Sequence, residues 1–261
     1  MSAARAIWKG HLALGEYRAP VKMYAAVEPR TVHFRLLHAE DLAPVEQHIV
    51  RKEDGREVPK DEQRKAFALS GDTAIILQPE DLQALEPEPS RDIELCRFVP
   101  RTLLGDQWYD RPYWLGPDED EAAYFALAEA LEGQETVGIA RWVMRKKRYV
   151  GALDVLDGYL MMTTLRRADQ VLSFSGIEPG KAATPEANEL QLAQQLVATI
   201  EGDFEPQRWR DEHRDRLYAL IEAKSRGEQI APPARKRKPK PASLVEGLRA
   251  SLTAAREQRL A

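Results

Sequence analysis

The chain has 261 residues, 43% of them hydrophobic, a formal net charge of −4 and a single cysteine, Cys96. That length buries a sizeable core, in one domain with appendages or in two small ones, and one cysteine excludes disulfide frameworks and multi-cysteine zinc sites. No apolar run approaches the ~18–20 residues of a membrane span, and Lys9, Gly10 and His11 interrupt the N-terminus before a signal-peptide core forms. The expectation is a globular cytoplasmic protein with no membrane partner.

From residue 5 to about 116 the pattern is mainly that of strands, as in a β-barrel or sandwich. Val21, Met23 and Ala25 alternate with polar neighbours, as do Val32, Phe34 and Leu36 around Arg35. TAIILQ (73–78) is a continuous run of buried type, Pro79 opens a short helix, and IELCRFV (93–99) is β-rich with Cys96 expected inside. Residues 45–72 differ: HIVRK, an Asp54-Gly55 turn and then polar sequence, six basic and seven acidic residues in all, predict an exposed ribbon. With about 12 residues per arm at ~3.4 Å each, it reaches roughly 40 Å.

Asp118, Glu119 and Asp120 mark a helix start, Tyr124, Leu127, Ala128 and Leu131 share its face, and Gly133 ends it. Strands follow at about 136–145, 148–155 and 158–165, the last after an Asp157-Gly158 turn. Thr184-Pro185-Glu186 starts a helix bearing Leu190, Ala193, Val197 and Ile200, and a second begins near Pro206 and carries Trp209, Leu217, Leu220 and Ile221. Residues 231–242, APPARKRKPKPA, are a basic proline-rich linker, and Ser243-Leu-Val-Glu246 is a capping box for a final helix.

No metal-ligand spacing, P-loop, GxGxxG or GxSxG pattern is present. What remains is charge. Residues 231–261 carry eight Lys/Arg against two acids, while the body before them is acidic. Within that body Arg141, Arg145, Lys146, Lys147 and Arg148 stand together, with no acid among residues 141–148. On charge alone this stretch is either a solvated hairpin tip or a phosphate-binding wall. The tail cations Arg235, Lys236, Arg237, Lys238 and Lys240 would add affinity for phosphates. No zinc finger, basic zipper or RNP-type aromatic strand is visible, so nucleic-acid binding would not depend on base sequence.

Four blocks, RAIWKGHLALGEYRAPVKMY (5–24), DRPYWLGPDE (110–119), GIARWVMRKKRYVGALDVLDGYLMMTTLRRADQV (138–171) and FEPQRWRDEHRDRLYALIEAKSRG (204–227), resemble in order and spacing those of the prokaryotic Ku family. The resemblance implies a β-barrel core with a projecting bridge ribbon and a C-terminal helical arm. It implies a homodimeric ring that threads onto double-stranded DNA ends in the nucleoid, and recruitment of an ATP-dependent DNA ligase in non-homologous end joining. It implies no enzyme activity and no cofactor or metal.

In domain terms the expectation is a core at 1–180, with the bridge at about 45–72 and a helix at about 119–132, an arm at 181–230, and a linker plus terminal helix at 231–261. The DNA-binding candidates are Arg51, Lys52, Arg56, Lys60, Arg64 and Lys65 on the bridge, and Arg35 with the 141–148 cations on cradle strands. Leu190, Val197, Trp209, Leu217, Leu220 and Ile221 are the candidates for dimer and ligase contact. In the ring arrangement Trp142 and Met144 anchor the basic strand in the core while its cations face the DNA. Two departures from the family are RKEDGREV (51–58), which has no cysteine in the bridge turn, and GEYRAP (15–20), which adds Arg18. Competing readings are a Schiff-base lyase on abasic sites, using Lys146 or Lys147, and a general DNA-packaging protein.

Overall fold

A computed structural model describes residues 5–69, 73–174, 185–228 and 243–260, with side chains to 257. The chain divides into two compact units, Met1–Ser173 and Phe174–Ala261. The first is built on a closed seven-stranded barrel of β1 (Trp8–Leu14), β2 (Tyr17–Ala25), β5 (Asp92–Pro100), β6 (Tyr109–Pro117), β7 (Thr136–Met144), β8 (Lys147–Leu156) and β9 (Tyr159–Leu165). The order is β1-β2-β6-β9-β8-β7-β5, and β1 closes it by pairing in parallel with β5.

Period-two alternation fills the interior. Leu12, Val21, Met23, Ile93, Leu95, Leu115, Leu153, Leu160 and Met162 point inward and are buried. α2 (Glu121–Leu131), capped by the Asp120 carboxylate on the Ala123 amide at 3.0 Å, packs on this barrel through Tyr124. The buried Tyr124 hydroxyl donates to the Leu115 carbonyl at 2.5 Å and accepts from the Leu160 amide at 2.8 Å, tying β6 to β9. Trp142 is 2% exposed and stacks on Tyr149, its cross-strand partner, at 5.5 Å. Gly151 leaves room for that ring, since a Cβ there would meet Trp142 Cζ3 and Met162 Sδ at 2.8 Å.

Several expectations need correction. Residues 32–36 form no strand, so Arg35 is not on a cradle strand; their alternation finds no neighbouring strand among the described residues, and Phe34 stands 68% exposed. The TAIILQ run becomes β4 (Ala74–Leu77), but among the described residues it pairs only with β3 (Lys65–Ala68), and Ile75 and Ile76 are exposed because no second layer of described residues covers that two-stranded sheet. Cys96 is exposed: alternation sends Ile93 and Leu95 inward and Cys96 outward, as the unpaired residue of a bulge between Leu95 and Arg97.

The Asp54-Gly55 turn forms, with Gly55 at φ 70° and its amide bonded to the Arg51 carbonyl at 3.0 Å. Its flanks meet only at the isolated Val50–Glu57 bridge, not in a long ladder. There His48 Nδ1 lies 2.6 Å from Glu57, whose hydrogen bond and charge hold the imidazole pKa above its ordinary 6.5. The short α1 (Pro79–Ala84) starts at the expected proline.

In the second unit, α3 (Ala187–Ile200) starts two residues later than expected. Glu186 is its cap and Glu189 accepts from the Glu186 amide at 3.0 Å; Thr184 lies outside the described residues. α4 (Glu212–Ser225) is capped by Asp211, so Trp209 precedes the helix instead of riding on it and stacks on Phe204 at 6.4 Å. α5 (Leu244–Leu260) takes the Ser243 hydroxyl as acceptor for the Glu246 amide and packs against α3.

Candidate nucleic-acid interface

The basic stretch is a tight hairpin. Met144 pairs with Lys147, leaving Arg145 and Lys146 as a two-residue turn with φ of 50° and 62°. Both residues therefore occupy the left-handed region that a type I′ turn requires and that Asn-Gly fills at least cost. The neighbouring β8–β9 turn uses Asp157-Gly158 at 53° and 75° in the same way. A non-glycine residue held left-handed costs about 1–2 kcal/mol, and an exposed ion pair returns about 0–1 kcal/mol. Turn stability alone does not explain Arg-Lys here. Replacing the pair with Arg145→Asn/Lys146→Gly should raise the stability of this unit by about 1 kcal/mol in denaturant unfolding.

Alternation sends Trp142 and Met144 into the core and leaves Arg141, Arg145, Lys146, Lys147 and Arg148 exposed. Two of the five are engaged. Arg141 Nε and Nη2 donate to the Glu94 carboxylate at 2.8 and 3.0 Å across the β5–β7 pair, and this hydrogen bonding holds Glu94 below the usual carboxylate range. Lys146 Nζ lies 2.9 and 3.0 Å from the two oxygens of Glu86. Arg145, Lys147 and Arg148 have no carboxylate within ion-pair distance among the described residues.

The fold adds cations that sequence reasoning missed. Arg167, just past β9, donates through Nη2 to the Arg148 carbonyl at 3.2 Å and lines an open cleft of about 990 Å³ with Lys147 and Arg148. Arg91 lines a second cleft, of about 910 Å³, with Arg145 and Lys146. Arg91 and Arg167 are far from 141–148 along the chain, and only the Arg166-Arg167 pair hinted at either.

The bridge candidates stay with their own segment. Arg51 pairs with Glu53 and Asp54, Arg56 pairs with Asp54, and Arg64 donates to the Asp61 and Gln63 carbonyls. Arg35, Lys52, Lys60 and Lys65 are exposed, and no hydrogen bond or ion pair among the described residues links any of these seven to the hairpin. The tail cations Arg235, Lys236, Arg237, Lys238 and Lys240 lie outside the described residues. Of the partner candidates, Leu190, Val197, Trp209 and Ile221 are exposed, whereas Leu217 and Leu220 are half-buried.

Residues 13–193 match the family model described as the Ku70/Ku80 beta-barrel domain. The chain belongs to the Ku family. Among its relatives, the non-homologous end joining protein Ku of Anaeromyxobacter sp. (strain K) is 35% identical over 98% of this chain and 87% of its own length. That of Archaeoglobus fulgidus is 33% identical over 96% and 99%, and that of Coxiella burnetii is 35% identical over 85% and 83%. The matched span covers most of the unit that carries the cationic hairpin and runs on into the second unit, and no described helix is long and apolar enough to cross a membrane.

Proposed function

We propose that this chain binds double-stranded DNA ends, whatever their sequence, as a homodimeric ring, and recruits an ATP-dependent DNA ligase in non-homologous end joining. The observation that carries this reading is the likeness along almost the whole chain to proteins named for that process. The hairpin supports it physically. A ring loads only where a duplex ends, so its topology selects ends and its wall needs cations for phosphates but no base-reading groups. Arg145, Lys147 and Arg148, joined by Arg167, are such cations, and the bridge and tail cations add sequence-independent affinity.

The homodimer is supported by apolar surface outside the barrel sheet. Phe34, Leu36, Ile49, Phe67, Ile75 and Ile76 are all exposed in the single chain, and Phe67 and Ile75 face each other across the β3–β4 pair, as apolar groups that await a covering surface do. A second copy would cover that surface. Leu190, Val197, Trp209 and Ile221, together with Leu217 and Leu220, serve the dimer and the ligase contact.

Competition binding tests end selection. Labelled linear duplex is titrated with unlabelled competitor of the same sequence, either linear or covalently closed. Linear DNA competes and closed circles do not, if the reading holds; equal competition would overturn it.

A further inference from the structure

The segment that follows α1, residues 85–91, crosses the hairpin as an acidic strap. Its sequence LEPEPSR places Glu86 before Pro87 and Glu88 between Pro87 and Pro89. β7 and β8 already have strand neighbours on both sides in the closed barrel, so the strap cannot join the sheet beside them. Open clefts of about 910 and 990 Å³ lie along it, and Glu86 and Pro87 line both. Among the described residues one polar link joins residues 85–91 to the hairpin, the pair between Glu86 and Lys146. The Lys146 side chain is 72% exposed and that of Glu86 35%, so water and ions reach the joint.

From this geometry we infer that Glu86 is an internal competitor for the anion that the hairpin binds, and that the strap must surrender Lys146 before a duplex phosphate can take it. The inference rests on the hairpin being a phosphate contact. A carboxylate and a phosphate compete for the same ammonium, and Lys146 is a flexible point charge that exchanges one for the other. Once a phosphate arrives, Glu86 faces it as a like charge and the strap loses its tether. Weak encounters would leave the pair closed, whereas a duplex that also engages Arg145, Lys147 and Arg148 would open it. Glu86 thereby lowers affinity for incidental anions more than for a duplex held at several points.

The test is a double-mutant cycle on affinity for linear duplex, read across a salt series. Glu86→Gln keeps the shape of the side chain and removes its charge. It should tighten binding about 3- to 10-fold at low salt and steepen the log–log salt slope by up to ~0.9 per copy, as Lys146 becomes free to displace a counterion. In a Lys146→Gln background the same change should give a much smaller gain, the residual like-charge term alone.

Unchanged affinity in Glu86→Gln, with a clear loss in Lys147→Glu/Arg148→Glu, would overturn the strap and leave the hairpin standing. An equal gain with and without Lys146 would also overturn it, since Glu86 would then act by general repulsion. No loss in Lys147→Glu/Arg148→Glu would remove the hairpin reading and the strap with it. Thermal unfolding of each variant confirms that the fold is kept.

Discussion

Reversing Lys147 and Arg148 together, as Lys147→Glu/Arg148→Glu, should weaken binding to linear duplex on the order of 100-fold at ~0.1 M salt, whatever the sequence. These two cations are the right pair to change because neither has a carboxylate partner among the described residues, so reversal breaks no ion pair. The backbone carbonyl of Arg148, which holds Arg167, is unaffected by its side chain. Surface changes of this kind move stability by about 0.5 kcal/mol or less, so the loss belongs to binding. The slope of log affinity against log salt should become shallower by up to ~1.8 per copy, two lost phosphate contacts at ~0.9 each. Titrations at four or five salt concentrations measure both quantities. An unaltered slope would make the stretch a solvated tip.

The second large effect is on stability. Trp142→Ala removes a side chain that is 2% exposed, stacked on Tyr149 and seated against Gly151. Truncation of a buried aromatic costs about 3–5 kcal/mol, which lowers the melting temperature of a unit this size by about 10 °C. Duplex affinity should fall too, because the hairpin loses its inward anchor. Trp142→Phe should lose much less: it keeps an aromatic ring beside Tyr149 and removes an indole N–H that has no hydrogen-bond partner among the described residues. Differential scanning calorimetry of the two variants separates anchoring from charge.

Much of the barrel was legible because its strands follow one rule. Val21 and Met23 alternate inward as their spacing demands, Asp157-Gly158 turns where the dipeptide favours it, and Asp120 caps the helix that Tyr124 seals to the barrel. The rule fails where an apolar pattern stays exposed. Val32, Phe34 and Leu36 alternate like a strand, and TAIILQ is as apolar as a buried one, yet both lie outside the barrel with no cover among the described residues. Local pattern records what a segment can bury and says nothing of whose surface covers it.

The site was half legible for a related reason. Five cations without an acid stand out in the sequence, and so does their attachment to Trp142 and Met144. Their neighbours come from elsewhere: Glu86 from the strap, Glu94 from β5, Arg167 from beyond β9. Sheet closure brings these groups together, and no spacing in the sequence encodes it. Sequence could pose the choice between hairpin tip and phosphate wall; the fold adds that the stretch is a strained tip with its cations divided between paired and unpaired.

Threading is the central claim, and trapping tests it most directly. Protein is loaded onto linear duplex, the ends are then joined to close the circle, and the complex is washed at a salt concentration that strips protein from uncut linear DNA. A threaded ring stays on the closed circle through the wash and leaves when the circle is cut once. Equal loss from closed and linear DNA would contradict the account, placing the protein beside the duplex instead of around it.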